Sequence, residues 1–403
     1  MIKSELDRFI REHIVNREIS LFQKDILSHQ TELTRACKGK SFLVIGGAGT
    51  IGSNYIRAIL PYGPKHITVI DYSENGLTEL VRDLRSSNDL PVPDEFITYA
   101  FDFGLPLLEK VMQQTHFDVI ACFAAHKHVR SEKDAIAVEA MFQNNVFNTA
   151  KLLKLANAHQ PEHVFAVSTD KASGPVNVMG GTKKLMENLI LAYSPYLNMT
   201  TARFANVAFS NGSLLDGFIN RLAHRQPITA PNDVKRYFVS PEESGQICMI
   251  SSLLGQSADI FFPKLAVEST KTFSAIATAF LEQMGLKPDL CVSEEEAKNK
   301  AAKRKESDSW YPVYYFTSDT TGEKSLEEFY GANERKDLES FVSLGVIKNS
   351  TIVSLAEIDR QLSEFRNLFL EPDVQKDQIV ALMKKYIPDF DHQETGRNLD
   401  SKM

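Results

Sequence analysis

Short apolar runs and segments with helical periodicity alternate along the first half of the chain. The apolar runs fall at residues 41–45, 66–70, 96–101, 117–123 and 163–167. Continuous apolar runs of this length are typical of strands that are buried on both faces of a parallel sheet. Their alternation with helical patterns predicts an α/β fold built on a doubly wound parallel sheet of the Rossmann type.

The two ends of the chain lack this alternation. In residues 1–38, apolar positions recur at helical spacing amid many charges, which predicts a helical N-terminal extension packed on the main body or on a subunit partner. Residues 336–403 show similar spacing. They predict a helical C-terminal extension with a disordered tail from Asp391 onward.

Between the extensions we predict two interleaved domains. Residues 39–209 are assigned to the Rossmann domain, and residues 210–335 to a smaller α/β lobe that binds the substrate. The helical pattern near residues 241–255 is expected to return to the Rossmann domain. The apolar run at residues 260–265 is expected to form a short strand in the second lobe.

The composition is that of an ordinary globular protein. The chain has 403 residues, of which 43% are hydrophobic and 24% are charged. A formal net charge of −7 argues against a nucleic-acid partner, because phosphate backbones are gripped by clustered Lys and Arg. The four cysteines are widely spaced, and neither a signal-like N-terminus nor an apolar run of membrane-spanning length is present, which favours a cytoplasmic location without a membrane partner.

The first apolar run ends in a glycine turn that contains Gly46, Gly49 and Gly52. A strand, a glycine turn and the start of a helix are the parts of a dinucleotide site, because the glycines admit a tight turn and the close approach of a pyrophosphate, while helix amides face its phosphates. The pattern predicts that this turn, with Thr50 and Ile51, binds a dinucleotide.

The second apolar run ends in Asp71, about twenty residues after the glycine turn. A carboxylate at this place can accept hydrogen bonds from both hydroxyls of the adenine ribose and would repel a 2′-phosphate, so NAD is favoured over NADP. NADP stays open as a cofactor, because Arg82 or Arg85 could fold back towards a phosphate. A turn residue without a ligand is the other interpretation of Asp71.

A polar cluster, Ser-Thr-Asp-Lys at residues 168–171, follows the fifth apolar run. It lies at the carboxyl end of a predicted strand, where open α/β sheets bind their ligands. On the next helix Met179 and Lys183 are four residues apart and share a face. Asp170 and Lys171 are a candidate acid and base, and a structural salt bridge between them is the alternative interpretation.

These motifs resemble the Ser/Thr…Tyr-x-x-x-Lys site of the extended short-chain dehydrogenases/reductases, with Met179 where that family usually has a catalytic tyrosine. Ser-Thr-Asp-Lys-Ala at residues 168–172 and Ala-Ala-His-Lys-His-Val at residues 124–129 resemble the polysaccharide-biosynthesis branch, the UDP-N-acetylhexosamine 4,6-dehydratases. The resemblance covers roughly residues 40–335. It implies the Rossmann fold, a bound NAD and a UDP-sugar substrate.

The resemblance also implies three groups of site residues. The cofactor group comprises Gly46, Gly49, Thr50, Ile51, Gly52, Asp71, Asp102, Phe103, Ala124, Ala125, Lys127, Asn145 and Lys183. The substrate group comprises Lys127, His128, Asn206, Ser210, Arg236 and Glu323. The catalytic group comprises Thr169, Asp170, Lys171, Met179 and Lys183. No metal site is assigned.

Two departures from the branch concern charge near the diphosphate. Lys235 stands where relatives have threonine, and Thr320 and Thr321 stand where they have an Arg-Pro pair, so one expected cation is missing.

The implied chemistry begins with oxidation of a sugar carbinol by NAD⁺, after which the adjacent carbon is acidic enough for elimination of water or for epimerisation. In the branch, the residues matching Asp170 and Lys171 act on the C6 hydroxyl and the C5 proton. A thioether cannot accept a proton at neutral pH, so the base for the oxidation is unassigned among Lys183, Lys171 and an ordered water.

Three functions remain in view at this point. A nucleotide-sugar 4,6-dehydratase for polysaccharide or glycan synthesis is preferred, because simple 4-epimerases of the superfamily generally lack the Asp-Lys pair. An epimerase on the same class of substrate is the second. A regulatory protein that binds a dinucleotide without turnover is the third, and Met179 is its best support. Relatives form a dimer through the helices after Asn145 and Met179, so a homo-oligomer is expected by analogy.

Overall fold

Strands and helices alternate from Ser41 onward in the computed structural model, which describes residues 3–320, 322–348, 352–394 and 396. The strands are β1 (Ser41–Ile45), β2 (His66–Asp71), β3 (Glu95–Ala100), β4 (Val119–Cys122), β5 (His163–Val167), β6 (Met199–Ala202), β7 (Asn206–Val207), β8 (Ile228–Pro231), β9 (Lys235–Arg236), β10 (Phe238–Val239), β11 (Asp259–Pro263), β12 (Lys271–Thr272), β13 (Lys287–Leu290), β14 (Trp310–Phe316), β15 (Arg335–Asp337) and β16 (Leu344–Lys348). The α-helices are α1 (Lys3–Phe9), α2 (Gln23–Ser28), α3 (Gln30–Cys37), α4 (Thr50–Ile59), α5 (Glu74–Arg85), α6 (Leu107–Gln114), α7 (Ala135–Phe142), α8 (Asn148–His159), α9 (Val178–Tyr193), α10 (Leu214–Ala223), α11 (Pro241–Leu254), α12 (Phe273–Gln283), α13 (Glu294–Lys303), α14 (Leu355–Phe369) and α15 (Lys376–Tyr386). In the described part of the chain, none of the helices is long and apolar enough to cross a membrane.

The central sheet has nine strands in the order β3-β2-β1-β4-β5-β6-β11-β16-β15. The strands from β3 to β11 run parallel to their neighbours, whereas β16 and β15 are antiparallel. Chain order reverses between β1 and β4, which is the switch point where doubly wound sheets bind dinucleotides. The predicted α/β fold is confirmed.

Helices cover both faces of this sheet. Apolar residues of α6, α7, α8, α9, α14 and α15 form one core with the sheet, and those of α3, α4, α5 and α11 form the other. Every residue of β1, β2 and β5 is buried, as expected for strands between two helical layers. The carboxyl ends of β1, β4 and β5 are therefore the open edge at which a site can form.

The chain returns from the second lobe to the main sheet through α11 and β11. An added Cβ at Gly245 on α11 would lie 2.2 Å from the Asn54 carbonyl oxygen, so only glycine permits the close packing of α11 on α4. The expectation that residues 260–265 form a strand of the second lobe is wrong. β11 lies beside β6 in the main sheet, where its apolar residues Ile260, Phe261 and Phe262 are buried on both faces.

The expectation that residues 336–403 are helical is wrong for their first part. β16 adds to β11 as an antiparallel strand, and β15 completes the edge. A Cβ at Gly345 would lie 2.2 Å from the Phe262 ring, so glycine lets β16 approach β11. The apolar residues from Leu338 to Leu344 therefore lie between β15 and β16 and at the start of β16, at the edge of the sheet, and do not form a helix. The remaining residues do form α14 and α15.

The second lobe is built on a parallel sheet in the order β13-β14-β8. Its core includes Phe218, Phe280 and Tyr311, and the N-terminal extension contributes Phe9 and Ile14 to the same core. α1 and the π-helix that continues it therefore pack on the second lobe of their own chain, whereas α3 packs on α11 of the main domain. The domain boundaries drawn from the sequence stay a prediction.

The C-terminal helices cover α9. α14 contacts α9, and α15 contacts both α14 and α7. An added Cβ at Gly181 on α9 would lie 2.1 Å from Cε of Met383, so the glycine admits α15 closely. Beyond α15, the backbone amides of Asp391 and Gln393 donate to the carbonyls of Pro175 and Val176. The predicted disordered tail includes residue 395 and residues 397–403, which lie outside the described part of the chain.

A fully buried arginine joins the elements that surround the carboxyl end of β5. The guanidinium of Arg203, which follows β6, donates to both oxygens of Glu187 on α9 at 2.8 and 2.7 Å and to both oxygens of Glu334 at 2.8 and 2.9 Å. The hydroxyl of Ser168 donates to Glu187 as well, at 2.7 Å. Burial opposes ionisation of Glu187, but the arginine outweighs it and lowers the Glu187 pKa to about 2.

Replacing Arg203 with methionine is expected to destabilise the chain by about 3–5 kcal/mol, because the buried Glu187 carboxylate would lose both guanidinium hydrogen bonds and keep only Lys184, at 3.5 Å, as a cation. Urea unfolding at neutral pH measures the change. The exposed pair Arg82–Glu79 offers the control, since Arg82→Gln is expected to change the free energy of unfolding by no more than about 1 kcal/mol. Equal stability of Arg203→Met and wild type would contradict a central role for this cation.

Candidate active site

The site begins where β5 ends. Thr169 has extended backbone, and Asp170 and Lys171 follow in a short 3-10 turn. Oδ1 of Asp170 accepts three hydrogen bonds: from the Thr169 hydroxyl at 2.8 Å, from the Lys171 amide at 2.9 Å and from Lys171 Nζ at 3.1 Å. The Asp170 side chain is buried, and the three bonds fix the relative position of the carboxylate and the amine.

A second buried carboxylate, that of Glu327, lies 3.8 Å from Lys171 Nζ. Burial alone would lower the pKa of Lys171, but Asp170 and Glu327 outweigh it and raise the pKa. Burial raises the pKa of Glu327, against the opposing effect of Lys171. Glu327 was not among the predicted site residues, although it lies only four residues after the predicted Glu323.

The next helix, α9, carries Met179 and Lys183. The Asn177 side chain caps its start by accepting from the Gly180 amide at 2.8 Å. Met179 is buried, and its backbone amide donates to Oε2 of Glu132 at 3.1 Å. Nζ of Lys183 donates to the Val167 carbonyl at 2.6 Å, so Lys183 reaches the end of β5 from the helix.

Burial lowers the pKa of Lys183 to about 8, and nearby Glu187 opposes this effect only in part. An amine with such a pKa is partly neutral under mildly alkaline conditions, unlike an ordinary lysine. Lys183 therefore can exchange a proton at the end of β5.

Asn145 steadies the backbone after β4. Its Oδ1 accepts from the His126 amide at 2.8 Å, and its Nδ2 donates to the His126 carbonyl and to the Thr182 hydroxyl, each at 3.0 Å. The Thr182 hydroxyl in turn donates to the Met179 carbonyl at 2.8 Å. Asn145 lies in a π-helical segment between α7 and α8, a feature often found at functional sites. Through Asn145, the segment joins the loop after β4 to α9.

The glycine turn after β1 forms a cradle open to a ligand. Gly46 has a φ of +76°, and an added Cβ there would lie 2.6 Å from the Ala124 amide nitrogen. A Cβ at Gly52 would lie 2.4 Å from the Gly46 carbonyl oxygen, so the helix start also needs glycine. At Gly49 an added Cβ would have its nearest neighbour at 3.5 Å, which leaves room in front of the turn. Thr50 and Ile51 open α4, whose free amides face that room.

Asp71, at the end of β2, fixes the far side of the cradle. Its Oδ2 accepts from the Ala48 amide at 3.0 Å, and its Oδ1 accepts from the Ser73 amide at 2.9 Å. Each oxygen keeps a lone pair that can face a ribose hydroxyl. The structure therefore places Asp71 beside the glycine turn, as a dinucleotide site requires.

Asp102 and Phe103 lie after β3. Oδ1 of Asp102 accepts from the Gly104 amide at 2.7 Å and from Asn148 at 3.2 Å. The Phe103 side chain is buried in the core that α6 to α9 form with the sheet.

The loop after β4 meets the second lobe. Nζ of Lys127 donates to the Asn211 carbonyl at 2.8 Å, and the Asn211 amide donates to the Thr50 hydroxyl at 2.9 Å. His128 lies against Gly212, the next residue of the same turn. Burial lowers the pKa of both Lys127 and His128. Ser210 begins this turn, so the predicted sugar-binding residues of both lobes come together here.

The other predicted substrate residues gather around Arg236 on β9. Nη2 of Arg236 donates to Glu323 at 2.9 Å and lies 3.9 Å from Glu327, while Nη1 donates to the Lys324 carbonyl at 2.9 Å. Charges therefore alternate from Asp170 through Lys171, Glu327 and Arg236 to Glu323. Thr321 lies outside the described residues. The Thr320 hydroxyl accepts a hydrogen bond from Arg130 at 3.0 Å, so the Arg130 cation lies beside the position where the branch has its arginine.

Among the described residues, the buried Nδ2 of Asn206 has no hydrogen-bond partner. Asn206 lies on β7, between the main sheet and the second lobe. A buried donor without a hydrogen-bond partner destabilises the folded state, and a ligand with acceptor oxygens would remove this penalty.

The sequence profile of a family described as polysaccharide biosynthesis protein matches residues 42–342, and the chain belongs to this family. An uncharacterized membrane protein of Methanocaldococcus jannaschii is 29% identical over 64% of this chain and 77% of its own length. The probable polysaccharide biosynthesis protein EpsC of Bacillus subtilis is 28% identical over 61% of this chain but only 41% of its own length. A UDP-glucose 4-epimerase of Rickettsia canadensis is 27% identical over 62% of this chain and 72% of its own length.

Two solved structures share the fold. The X-ray structure of Pen from Bacillus thuringiensis covers 81% of this chain and 98% of that chain, with a TM-score of 0.63 and 22% identity. A double mutant of DesIV, a dTDP-glucose 4,6-dehydratase from Streptomyces venezuelae with NAD bound, covers 78% of this chain and 93% of that chain, with a TM-score of 0.57 and 18% identity. These structures confirm the fold, and the profile match confirms the predicted relation to polysaccharide-biosynthesis proteins. The dehydratase branch and the meaning of Met179 stay predictions.

Replacing Lys183 with methionine is expected to change how stability depends on pH. The Lys183 pKa is about 8 in the folded chain and about 10.4 in the unfolded chain, so between these values the unfolded chain binds more protons and wild-type stability falls as pH falls. Lys183→Met lacks this contribution. The free energy of unfolding of wild type minus that of the variant, measured with urea at a series of pH values, should fall from pH 10.5 to pH 8 and then level off.

The exposed Lys154 on α8 provides the control, since Lys154→Met also removes one positive charge. Parallel stability curves for wild type and Lys183→Met would contradict a lowered pKa at Lys183.

Proposed function

We propose that this chain is an NAD-dependent nucleotide-sugar 4,6-dehydratase that acts on UDP-N-acetylglucosamine or a related UDP-hexosamine. The observation that carries the proposal is the buried Asp170–Lys171 pair, with Nζ 3.1 Å from Oδ1 at the carboxyl end of β5. Loss of water across C5 and C6 needs an acid for the departing hydroxyl and a base for the proton of the neighbouring carbon. The family description supports a role of the 4-keto-6-deoxy product in polysaccharide or glycan synthesis.

The cradle at the glycine turn fits NAD. Gly46, Gly49 and Gly52 would admit the pyrophosphate in front of the α4 amides, with Thr50 and Ile51 beside it, and Asp71 would hold the adenine ribose. Asp102 and the Phe103 backbone would face the adenine, whereas Ala124, Ala125, Lys127, Asn145 and Lys183 would line the nicotinamide half. When bound, NAD⁺ would accept a hydride from C4 and return it to the sugar.

The two protons of the elimination would be handled by Asp170 and Lys171. Because the pKa of Lys171 is raised, the resting pair holds its proton on the amine. The hydrogen bond between Nζ and Oδ1 provides a path for this proton to Asp170. Neutral Lys171 would then take the C5 proton while Asp170 protonates the departing C6 hydroxyl. The pair returns to its starting charges, and one water molecule leaves. Return of the hydride to C6 would be balanced by a proton added at C5, in place of the proton that the C4 hydroxyl loses on oxidation.

Lys183 is the best supported base for the C4 oxidation. Its pKa is lowered to about 8, whereas that of Lys171 is raised, so Lys183 is more readily neutral. The buried thioether of Met179 cannot take this role. Thr169, whose hydroxyl donates to Asp170, would orient the sugar's 4-hydroxyl.

The nucleotide would lie between the lobes. Arg236 would bind the diphosphate, and the unpaired Nδ2 of Asn206 would donate to one of its oxygens. Glu323, beside Arg236, would accept from nucleotide hydroxyls. Lys127 and His128, with Ser210, would contact the sugar at the turn that joins the lobes.

A 4-epimerase is the second candidate, and similarity to a UDP-glucose 4-epimerase favours it. An epimerase would return the hydride to the opposite face of the same ketone without loss of water. It has no use for a paired acid and base beside C5 and C6, and for this reason the dehydratase is preferred.

Incubation of the purified protein with UDP-N-acetylglucosamine and NAD⁺ in D₂O is expected to give a product 18 mass units lighter, offset by deuterium taken up at C5, with a new C6 methyl signal in the proton NMR spectrum. Asp170→Asn and Lys171→Met are each expected to lower kcat by about 10²–10⁴, because each removes one partner of the proton transfer. The exposed Lys40–Glu162 pair at the opposite end of β5 provides the control, and Glu162→Gln should retain activity.

An unchanged mass with altered sugar couplings would favour the epimerase instead. Absence of conversion with this and other UDP- and GDP-sugars, despite binding of NAD, would favour a regulatory protein. Full activity of Asp170→Asn would exclude the proton path described above.

A further inference from the structure

The carboxylate of Glu327 is buried between two cations that belong to different parts of the proposed site. One oxygen of Glu327 lies 3.8 Å from Lys171 Nζ and 3.9 Å from Arg236 Nη2. Both distances are those of ion pairs and are longer than hydrogen bonds. The side chain of Glu327 is 3% exposed, so its charge depends on these two neighbours more than on water.

Other charges face the same carboxylate. Asp170 lies beyond Lys171, and Lys324 belongs to the same segment as Glu327. Burial raises the pKa of Glu327, Asp170 adds to this effect, and Lys171, Arg236 and Lys324 oppose it. Glu323, on the other side of Arg236, is 20% exposed and can turn towards water when Arg236 finds another anion. The buried side chain of Glu327 cannot turn towards water in this way.

We propose that Glu327 takes up a proton when the diphosphate of a nucleotide binds Arg236, and that Glu327 is thereby a positioning residue for Lys171. The inference rests on the proposed assignment of Arg236 to the diphosphate. It does not depend on whether the reaction is a dehydration or an epimerisation.

The diphosphate would bring two negative charges next to Arg236, whose guanidinium would no longer compensate Glu327. A buried carboxylate that loses its cation becomes neutral more readily than it stays charged. The proton comes from solvent and binds to the Glu327 carboxylate. Lys171 is then held by Asp170 alone, which favours the proton path between those two residues. Binding of the nucleotide would prepare the catalytic pair in this way.

Isothermal titration calorimetry with UDP tests the proposal. Titrations near neutral pH in two buffers with different ionisation enthalpies give the number of protons taken up for each UDP bound. Wild type is expected to take up more protons than Glu327→Gln, by at most about one. The neighbouring Glu328 is exposed, and Glu328→Gln is expected to match wild type. Proton exchange by UDP itself is the same for all the proteins and cancels in the comparison.

Equal proton uptake by wild type and Glu327→Gln would overturn the proposal. Glu323→Gln tests it independently of the folding of Glu327→Gln: retained uptake supports Glu327, and lost uptake assigns the proton to Glu323 and overturns the proposal. Dehydration of the sugar nucleotide is measured in a separate assay from the calorimetry. Absence of dehydration together with normal proton uptake would speak against the proposed reaction and leave the role of Glu327 intact.

Discussion

The buried guanidinium of Arg203 sets the geometry of the site. It binds two carboxylates, and its Nη1 also donates to the Phe329 carbonyl at 3.0 Å. Ser168, which is held by the same network through Glu187, lies two residues before Asp170, and Phe329 lies two residues after Glu327. One cation therefore fixes the two backbone segments that bring these carboxylates to Lys171. Asn177 and Lys324 add hydrogen bonds between the same two segments, to the Gly322 carbonyl at 2.9 Å and to the Ser173 carbonyl at 3.1 Å.

A second layer of charges makes the site dependent on both lobes. The main sheet contributes Asp170 and Lys171, while the second lobe contributes Arg236 through β9. Neither lobe alone balances its buried charges, because Glu327 is shared between Lys171 and Arg236. Arg236 acts on Lys171 directly, by lowering its pKa, and also through Glu327, which lies between the two cations. If Arg236 binds the diphosphate as proposed, substrate recognition and proton transfer would be coupled by electrostatics.

The features that the sequence predicted well depend on residues close together in the chain. The glycine turn follows directly from β1, and Asp170 and Lys171 are neighbours, so the pattern alone revealed them. Glu327 was not predicted, because its partners are distant in sequence and nothing local marks its burial. The strand β16 was missed for a similar reason. Its place depends on Phe262 and Gly345 fitting together across the sheet, whereas the local spacing of apolar residues favoured a helix.

The methionine at position 179 is best understood together with the C-terminal extension. Glu132 accepts from the Met179 amide and is itself held by His392 at 3.2 Å and Lys376 at 3.7 Å, both of which lie beyond the part of the chain that matches the family. α15 covers the same helix at Gly181. The first turns of α9 are thus fixed by the extension. If Met179 stands in place of a catalytic tyrosine, as the resemblance predicts, the substitution would remove a proton acceptor and preserve the scaffold that presents Lys183. A homo-oligomer that used the Gly181 face of α9 would first have to displace α15.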